Sequence, residues 1–424
     1  MRTTQRRQVC ILLPDKQHLD CTVGVRARGH EVLNSVLKQV GVSDLQVFGL
    51  AVLRDNEYLF LNLEQKLSKY FGKRWNRRSV TIPFILFLRV QYYVESGRLL
   101  LSSKVQQLYY TELRQKVLQS QSRHQEALFF QLAASALQAE VGNLEKHRHY
   151  FLPEDYFPSW LIKRRGRDFL LQHCPVLHDE LRGLSRSQAV LQFIKEASSL
   201  RDGSVTLYRM RRVSHTQLTN ENLQEVEKKE VRSSILFGVA LKGVHIYQEV
   251  EGKRCLLYDF SWRDIDRLTF QGSRFEISAV GSLCLPKLVY YAPSAFHSKH
   301  VLRHLSDSHQ LHINTRGAVS YLQQLEDMEA SQFYKEAYIC DIAGLTCRLQ
   351  RPTSPMSDCS VAIETTTAWS KEEKGDEDEE ISFAGQLKHK KCHSVLPIHS
   401  HTFSVTVEVK QVLKRRADEG VSVD

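Results

Sequence analysis

Few residues of this sequence stand at a spacing that known chemistry requires. The chain has no G-x-x-x-x-G-K-[ST] loop to hold phosphates, no H-E-x-x-H pair and no G-x-S-x-G nucleophile turn. Its 18 histidines include one local cluster with a cysteine, His389, Cys392 and His393, whose spacing matches no standard zinc pattern. We therefore predict a protein without enzymatic activity, without a cofactor and without a metal site.

Positive charge is the stronger chemical signal. The formal net charge is +10, and segment 371–380 holds seven acidic residues and two lysines, so the remainder of the chain carries +15. Such an excess of cations indicates an anionic partner. The densest run, which we call the basic connector, is residues 73–78 (KRWNRR). Trp75 lies among its cations, a pattern also found in nucleic-acid-binding proteins, so that class stays an alternative.

Length and composition indicate an intracellular, multi-domain chain. The 424 residues are 42% apolar and 25% charged, which is typical of about three packed domains. No apolar run is long enough for a membrane helix, and the N-terminal residues lack the pattern of a signal peptide. The nine cysteines include no C-x-x-C pair, which favours a reducing, cytoplasmic environment.

Residues 8–72 predict strands and one helix in a ubiquitin-like order. Val32, Val36 and Val40 recur at helical spacing, and Gly41 stands where a helix C-terminal cap is expected. Alternating apolar patterns predict strands before and after this helix, at 9–13, 19–25, 45–53 and 58–63.

Residues 80–203 predict a small helical bundle after one strand at 82–93. Helices are predicted at 104–119 and 124–141. Segment 150–160 is aromatic and contains two prolines, so we predict an ordered loop there. Ser185 and Gln188 form the pattern of a capping box, which predicts a further helix that ends near residue 200.

In residues 204–315 the apolar residues recur with a period of two. Short strands with glycine-containing turns and a closing helix at 294–306 predict a pleckstrin-homology-like (PH-like) barrel or sandwich. A separate helix is predicted within 316–340. Residues 341–424 are rich in polar and charged residues and include the acidic run, so we predict a mostly disordered tail with an extended segment at 403–412.

This order of three lobes resembles the FERM domain (band 4.1, ezrin, radixin, moesin). Six stretches resemble family sequences in register: 48–55, 127–143, 177–200, 234–247, 260–270 and 289–309. The resemblance implies an α+β cloverleaf with a ubiquitin-like lobe, a helical lobe like acyl-CoA-binding protein, and a PH/PTB-like lobe. Segment 327–339 is most similar to the willin and Expanded subgroup.

The family resemblance implies a function as well as a fold. It implies a non-enzymatic adaptor, peripheral at the plasma membrane or cell junctions. Its partners would be phosphoinositide-containing membranes, cytoplasmic tails of membrane proteins, and cortical or junctional scaffold proteins, with no nucleic acid expected. It would organise actomyosin and take part in growth-control (Hippo-type) signalling. A protein-interaction module that binds no lipid stays a second alternative.

The resemblance also implies a lipid site between the first and third lobes. Lys66 and Lys299 match lysines of the ezrin group, whereas Asn62 and Gln65 replace two others. Cations of the basic connector would compensate for that loss of charge. Besides Lys66 and Lys299, the predicted lipid-binding residues are therefore Lys73, Arg74, Arg77 and Arg78.

A peptide groove is the second site that the resemblance implies. FERM third lobes bind receptor tails along an edge strand beside the closing helix, and strand addition needs no diagnostic side chain. The residues predicted to line this groove are Leu285, Leu288 and Tyr290 on the last strand, and Phe296 and His300 on the helix.

Overall fold

The computed structural model describes residues 5–45, 47–77, 82–144, 150–212, 233–250, 253–280 and 288–349. Residues up to Arg316 form one compact unit, and the chain from Gly317 onward contributes to a second. The histidine–cysteine cluster, the acidic run and the extended segment 403–412 lie outside the described residues. Within the described part, no helix is long and apolar enough to cross a membrane.

The first lobe is a five-stranded sheet covered by one helix. Strand order is β2-β1-β5-β3-β4, with β1 and β5 parallel and the other pairs antiparallel. Helix α1 buries Val32 and Val36 against this sheet and ends at Gly41, whose φ of 72° is left-handed, as the sequence predicts. The elements are β1 (Arg6–Leu12), β2 (His18–Gly24), α1 (Gly29–Val40), β3 (Phe48–Arg54), β4 (Glu57–Phe60), α2 (Ser68–Phe71) and β5 (Phe84–Val90).

The second lobe is the predicted helical bundle, with one correction. Segment 150–160 is not a loop, because it contains α5 and the start of α6. Pro153 is the first residue of α5 and Pro158 directly precedes α6, positions where proline costs no helical hydrogen bond. The helices are α3 (Ser103–Leu118), α4 (Glu126–Glu140), α5 (Pro153–Tyr156), α6 (Ser159–Arg165), α7 (Arg167–Glu180) and α8 (Arg186–Ser198).

The capping box predicted at the start of α8 is confirmed. The Ser185 hydroxyl accepts a hydrogen bond from the Gln188 backbone N–H at 3.3 Å. In return, the Gln188 side chain accepts one from the Ser185 backbone N–H at 3.0 Å. Two helix N–H groups that would otherwise lack partners are thereby satisfied.

The third lobe consists of two antiparallel sheets and a closing helix. The sheets have the orders β6-β7-β8-β9 and β10-β11-β12. The strands are β6 (Val205–Met210), β7 (Ser233–Ala240), β8 (Gly243–Val250), β9 (Lys253–Ser261), β10 (Ile265–Gln271), β11 (Arg274–Ala279) and β12 (Leu288–Tyr291).

The closing helix is longer than the sequence predicts. Helix α9 runs without interruption over Ala295–Leu349, so the two predicted helices are one, and residues 341–349 are helical rather than disordered. A single glycine inside a helix costs only about 1 kcal/mol relative to alanine, and Gly317 therefore does not end it.

Buried polar side chains join the lobes. His304 on α9 accepts a hydrogen bond from the Tyr208 hydroxyl at Nδ1 (2.8 Å) and donates one from Nε2 to the Gln91 carbonyl (2.9 Å). Burial lowers the pKa of His304 to about 4, although the bond to the Gln91 carbonyl opposes that shift. This histidine thus joins the third lobe to the end of the first-lobe sheet.

A carboxyl group is buried at a second contact between these lobes. Glu57 on β4 is 7% exposed, and its Oε1 accepts a 2.5 Å hydrogen bond from the backbone N–H of Arg209 on β6. Its Oε2 has no hydrogen-bond partner among the described residues. Burial raises the pKa of Glu57 to about 7, and the bond from Arg209 offsets that shift only in part.

Glu57→Gln should make protein stability less dependent on pH between about 4.5 and 7. Through this window the folded protein holds a proton that the unfolded chain has released, so wild-type stability falls as pH rises. Each pKa unit corresponds to about 1.4 kcal/mol. Thermal unfolding of both proteins across the window checks this, and parallel stability profiles would contradict it.

Candidate functional site

The basic connector is a fixed element because its tryptophan is buried. Gly72 has a φ of 60°, which lets the chain reverse after α2 and enter a 3₁₀ helix over Gly72–Asn76. Trp75 is 0% exposed, stacks on Phe71 at 5.4 Å and donates its indole N–H to the Val25 carbonyl at 2.7 Å. Lys73, Arg74 and Arg77 remain exposed around this anchor.

A buried arginine forms hydrogen bonds to the backbone of the connector. Arg7 is 5% exposed, and its Nε donates to the Trp75 carbonyl at 2.8 Å. Its Nη2 donates to the Arg77 carbonyl at 2.7 Å. Charged donors make strong hydrogen bonds, so the main chain on both sides of Asn76 is fixed.

Burial of Trp75 also bears on the nucleic-acid alternative. Binding of single-stranded nucleic acid requires exposed aromatic rings among the cations. The connector was the segment that suggested this pattern, and the structure places its ring in the core. The observation on which that alternative rested is therefore removed.

Lys66 lies beside two arginines that the sequence analysis missed. The backbone N–H of Leu67 donates to the Ala27 carbonyl at 3.0 Å, and Lys66 forms an antiparallel bridge with Arg28. Arg26 and Arg28 are both exposed on this adjoining segment. The sequence shows these two arginines alternating with apolar residues in 25–28 (VRAR). Their position next to Lys66, however, is set by the fold and cannot be read from the sequence.

These segments form one basic surface of the first lobe. Trp75 is bonded to residue 25 and Leu67 to residue 27, so the three segments are contiguous. Acidic neighbours include Glu64, whose Oε2 lies 3.4 Å from Nη1 of Arg28 in an exposed pair that contributes little. The exposed cations that define this surface are Arg26, Arg28, Lys66, Lys69, Lys73 and Arg77.

The start of α9, which carries Lys299, packs against this lobe. The Tyr70 ring lies 6.3 Å from that of Phe296 and 5.7 Å from that of His300. Lys299, next to His300, is exposed. Because Lys66 lies one helical turn before Tyr70, the structure brings together the elements that carry the two predicted lysines.

Histidines at this contact add little positive charge near pH 7. Burial is the main cause that lowers the pKa of His300, and the cations Lys299, Arg54 and Arg303 lower it further. Burial also lowers the pKa of His297, although Asp55 opposes that shift. The charge at this contact therefore comes from its lysines and arginines.

Four of the residues predicted to line a peptide groove are described, and each has neighbours within the protein. Leu288 is 6% exposed and Tyr290 1% exposed, so both belong to the core of the third lobe. At the outer side of β12, Tyr291 and Arg211 exchange two backbone hydrogen bonds of 2.8 Å. Phe296 and His300 face Tyr70 rather than a free edge.

Two predicted residues lie outside the described part of the chain: Arg78 and Leu285. Arg74 is described, and its guanidinium carbon lies 5.4 Å above the Phe84 ring. The Arg74 guanidinium thus lies over a buried ring of the first lobe. The lipid and peptide assignments both stay predictions.

Family models match all three lobes. The FERM N-terminal domain matches residues 11–73, the FERM central domain matches 95–208, and the FERM C-terminal PH-like domain matches 229–318. Together these models cover more than half of the chain. The chain belongs to the FERM family.

Its relatives include large multi-domain proteins. The chain is 26% identical to human tyrosine-protein phosphatase non-receptor type 13, over 77% of this chain and 13% of that protein. It is 27% identical to Drosophila melanogaster protein expanded, over 71% of this chain and 25% of that protein. The chain therefore spans a quarter or less of these relatives, and the phosphatase matches through its FERM region alone. The match to expanded agrees with the predicted subgroup.

Solved structures show the same fold at low sequence identity. The FERM and C-terminal domain complex of Drosophila Merlin aligns with a TM-score of 0.56 and 16% identity, over 74% of this chain and 98% of that chain. A MyTH4-FERM domain of Dictyostelium discoideum myosin VII aligns with a TM-score of 0.53 and 14% identity, over 70% and 60% of the two chains. The predicted FERM cloverleaf is confirmed.

Trp75→Ala should destabilise the first lobe by about 3–5 kcal/mol, as expected for the loss of a buried aromatic side chain. It also leaves the Val25 carbonyl without its donor. Arg77→Ala is the matched control, because it removes an exposed side chain but keeps the carbonyl that Arg7 binds. Thermal unfolding compares the two, and equal shifts in melting temperature would show that Trp75 is not the anchor.

Proposed function

We propose that this chain is a non-enzymatic adaptor that binds phosphoinositide-containing membranes through the basic surface and Lys299. The observation that supports this most directly is a set of six exposed cations on three segments that hydrogen bonds join to one another. Because the backbone of this cationic surface is already fixed, binding to an anionic membrane does not carry the entropy cost of ordering a flexible segment.

The electrostatics set the expected strength of this binding. Each basic residue near an anionic membrane contributes about 1 kcal/mol, and the effect falls off within a Debye length of about 8–10 Å. Six cations and Lys299 can therefore recruit the protein. Because Asn62 and Gln65 stand where the ezrin group has lysines, headgroup selectivity should be modest.

The adaptor role rests on the family and on the third lobe. Strand β10 ends the three-stranded sheet opposite to β12, and most of its side chains are exposed or half-buried. Among the described residues of this sheet, β10 has the edge to which an extended peptide could add, because β12 is bonded to Arg211. We extend the proposal to membrane-protein tails and cortical or junctional scaffold proteins as partners. Peripheral localisation at the membrane or junctions, actomyosin organisation and growth-control signalling follow by resemblance to expanded.

Lys66→Glu/Lys299→Glu should lower binding to phosphoinositide-containing vesicles by at least about tenfold, since two charge reversals exceed the 1.4 kcal/mol that corresponds to a factor of ten. Pelleting of the protein with phosphatidylcholine vesicles measures this. The vesicles contain phosphatidylinositol bisphosphate or a charge-matched amount of phosphatidylserine, at low and at physiological salt.

The control for that experiment is Lys163→Glu/Lys253→Glu. It changes the net charge equally at exposed positions of the second and third lobes. A similar loss in both double variants would mean that binding follows total charge rather than this site. If the wild type bound no vesicle at either salt concentration, the purely protein-binding alternative would take its place.

Arg26→Glu tests the part of the surface that the sequence analysis missed. We expect weaker pelleting with the same vesicles and an unchanged circular dichroism spectrum, because the side chain is exposed. Arg186→Glu, an exposed position at the start of α8, is the control. An effect of Arg26→Glu no larger than that of Arg186→Glu would exclude segment 25–28 from the membrane surface.

A further inference from the structure

A groove of about 500 Å³ opens in the first lobe beside the basic surface. The end of β3, the connector and the start of β5 form its walls. Its volume lies within the range of about 300–1,000 Å³ that is usual for ligand pockets. The lining side chains that matter here are Leu53, Arg54, Tyr70, Phe71, Arg74 and Ile85.

The floor of the groove is apolar and supported from behind. The Phe71 and Phe84 rings lie 4.8 Å apart, and Trp75 packs against both, at 5.4 Å and 4.7 Å. Leu53 and Ile85 are only half-buried, so apolar surface remains open to a ligand. A rigid aromatic support of this kind can hold a large apolar side chain.

The rim of the groove is cationic. Arg74 lies over the Phe84 ring, and Arg54 donates to the Tyr70 carbonyl while its guanidinium carbon lies 4.9 Å above the Phe296 ring. Among the described residues, neither guanidinium pairs with a carboxylate. The Asp55 carboxylate beside Arg54 lies instead 3.6 Å from Nε2 of His297. Asp55 lines the groove as well, so the rim offers two cations and one carboxylate to a ligand.

We propose that this groove binds an acidic peptide segment that places one aromatic side chain on the floor and its carboxylates on Arg54 and Arg74. Guanidinium groups pair with carboxylates through two parallel hydrogen bonds, which suits peptide carboxylates on either side of an anchor residue. The half-buried apolar side chains of the floor account for the aromatic anchor. A lipid headgroup offers no side chain to fill that floor.

Fluorescence anisotropy with the labelled peptide EEFEE and the full chain tests the proposal. EEFEE should bind at least about tenfold more tightly than EEAEE, because only the phenylalanine buries an aromatic side chain on the floor. It should also bind more tightly than KKFKK, which reverses the charges. Equal affinity for EEFEE and either comparison peptide would overturn the proposal.

Substitutions within the connector locate the site. Arg74→Gln should weaken EEFEE binding several-fold. Lys73→Gln should not, because consecutive residues of a 3₁₀ helix point about a third of a turn apart and Lys73 does not line the groove. Both side chains are exposed, so both variants should fold. Equal effects would place the peptide on the general basic surface and refute the assignment.

A competition experiment separates this site from the membrane site. Soluble inositol bisphosphate should leave EEFEE binding unchanged, and so should Lys66→Glu/Lys299→Glu. Displacement of the peptide by inositol bisphosphate would assign Arg74 to the lipid instead and overturn the proposal. Because the peptide assay contains no membrane, the groove can bind peptide even if vesicle pelleting fails.

Discussion

The burial of Trp75 is the interaction on which the candidate surfaces depend. A run of four cations in six residues would repel itself and remain mobile if nothing held its backbone. The buried indole ring donates to the Val25 carbonyl, and the Arg7 guanidinium binds two carbonyls of the connector itself, those of Trp75 and Arg77. The free energy that stabilises this arrangement comes from burial of the apolar Trp75 ring. The resulting charged surface has a fixed backbone.

Internal packing also determines how the first and third lobes meet. Helix α9 closes the third lobe, and its first turns supply Phe296 and His300 to Tyr70 and the neutral His304 to the end of the first-lobe sheet. These polar and aromatic groups find partners only when the lobes are assembled. The position of the start of α9 against the first lobe therefore follows from internal packing.

Local signals in the sequence predicted most of the fold. Gly41, the capping box at Ser185 and the change of period near residue 205 each act within a few residues, and the structure confirms all three. The loop predicted at 150–160 was wrong because proline was taken as a breaker where it begins or precedes a helix. The arginines of 25–28 were missed, and Tyr290 was taken as a groove residue, because long-range pairing decides which neighbours a side chain meets.

One buried side chain also divides the cations of the connector between two surfaces. A 3₁₀ helix has three residues per turn, so once Trp75 points into the core, its two predecessors must point in two other directions. Arg74 then lies across Phe84 at the groove, whereas Lys73 is exposed with the basic surface. Adjacent residues of similar charge can therefore serve different ligands. The backbone direction set by residue 75, rather than the number of charges in the run, decides which neighbours each cation has.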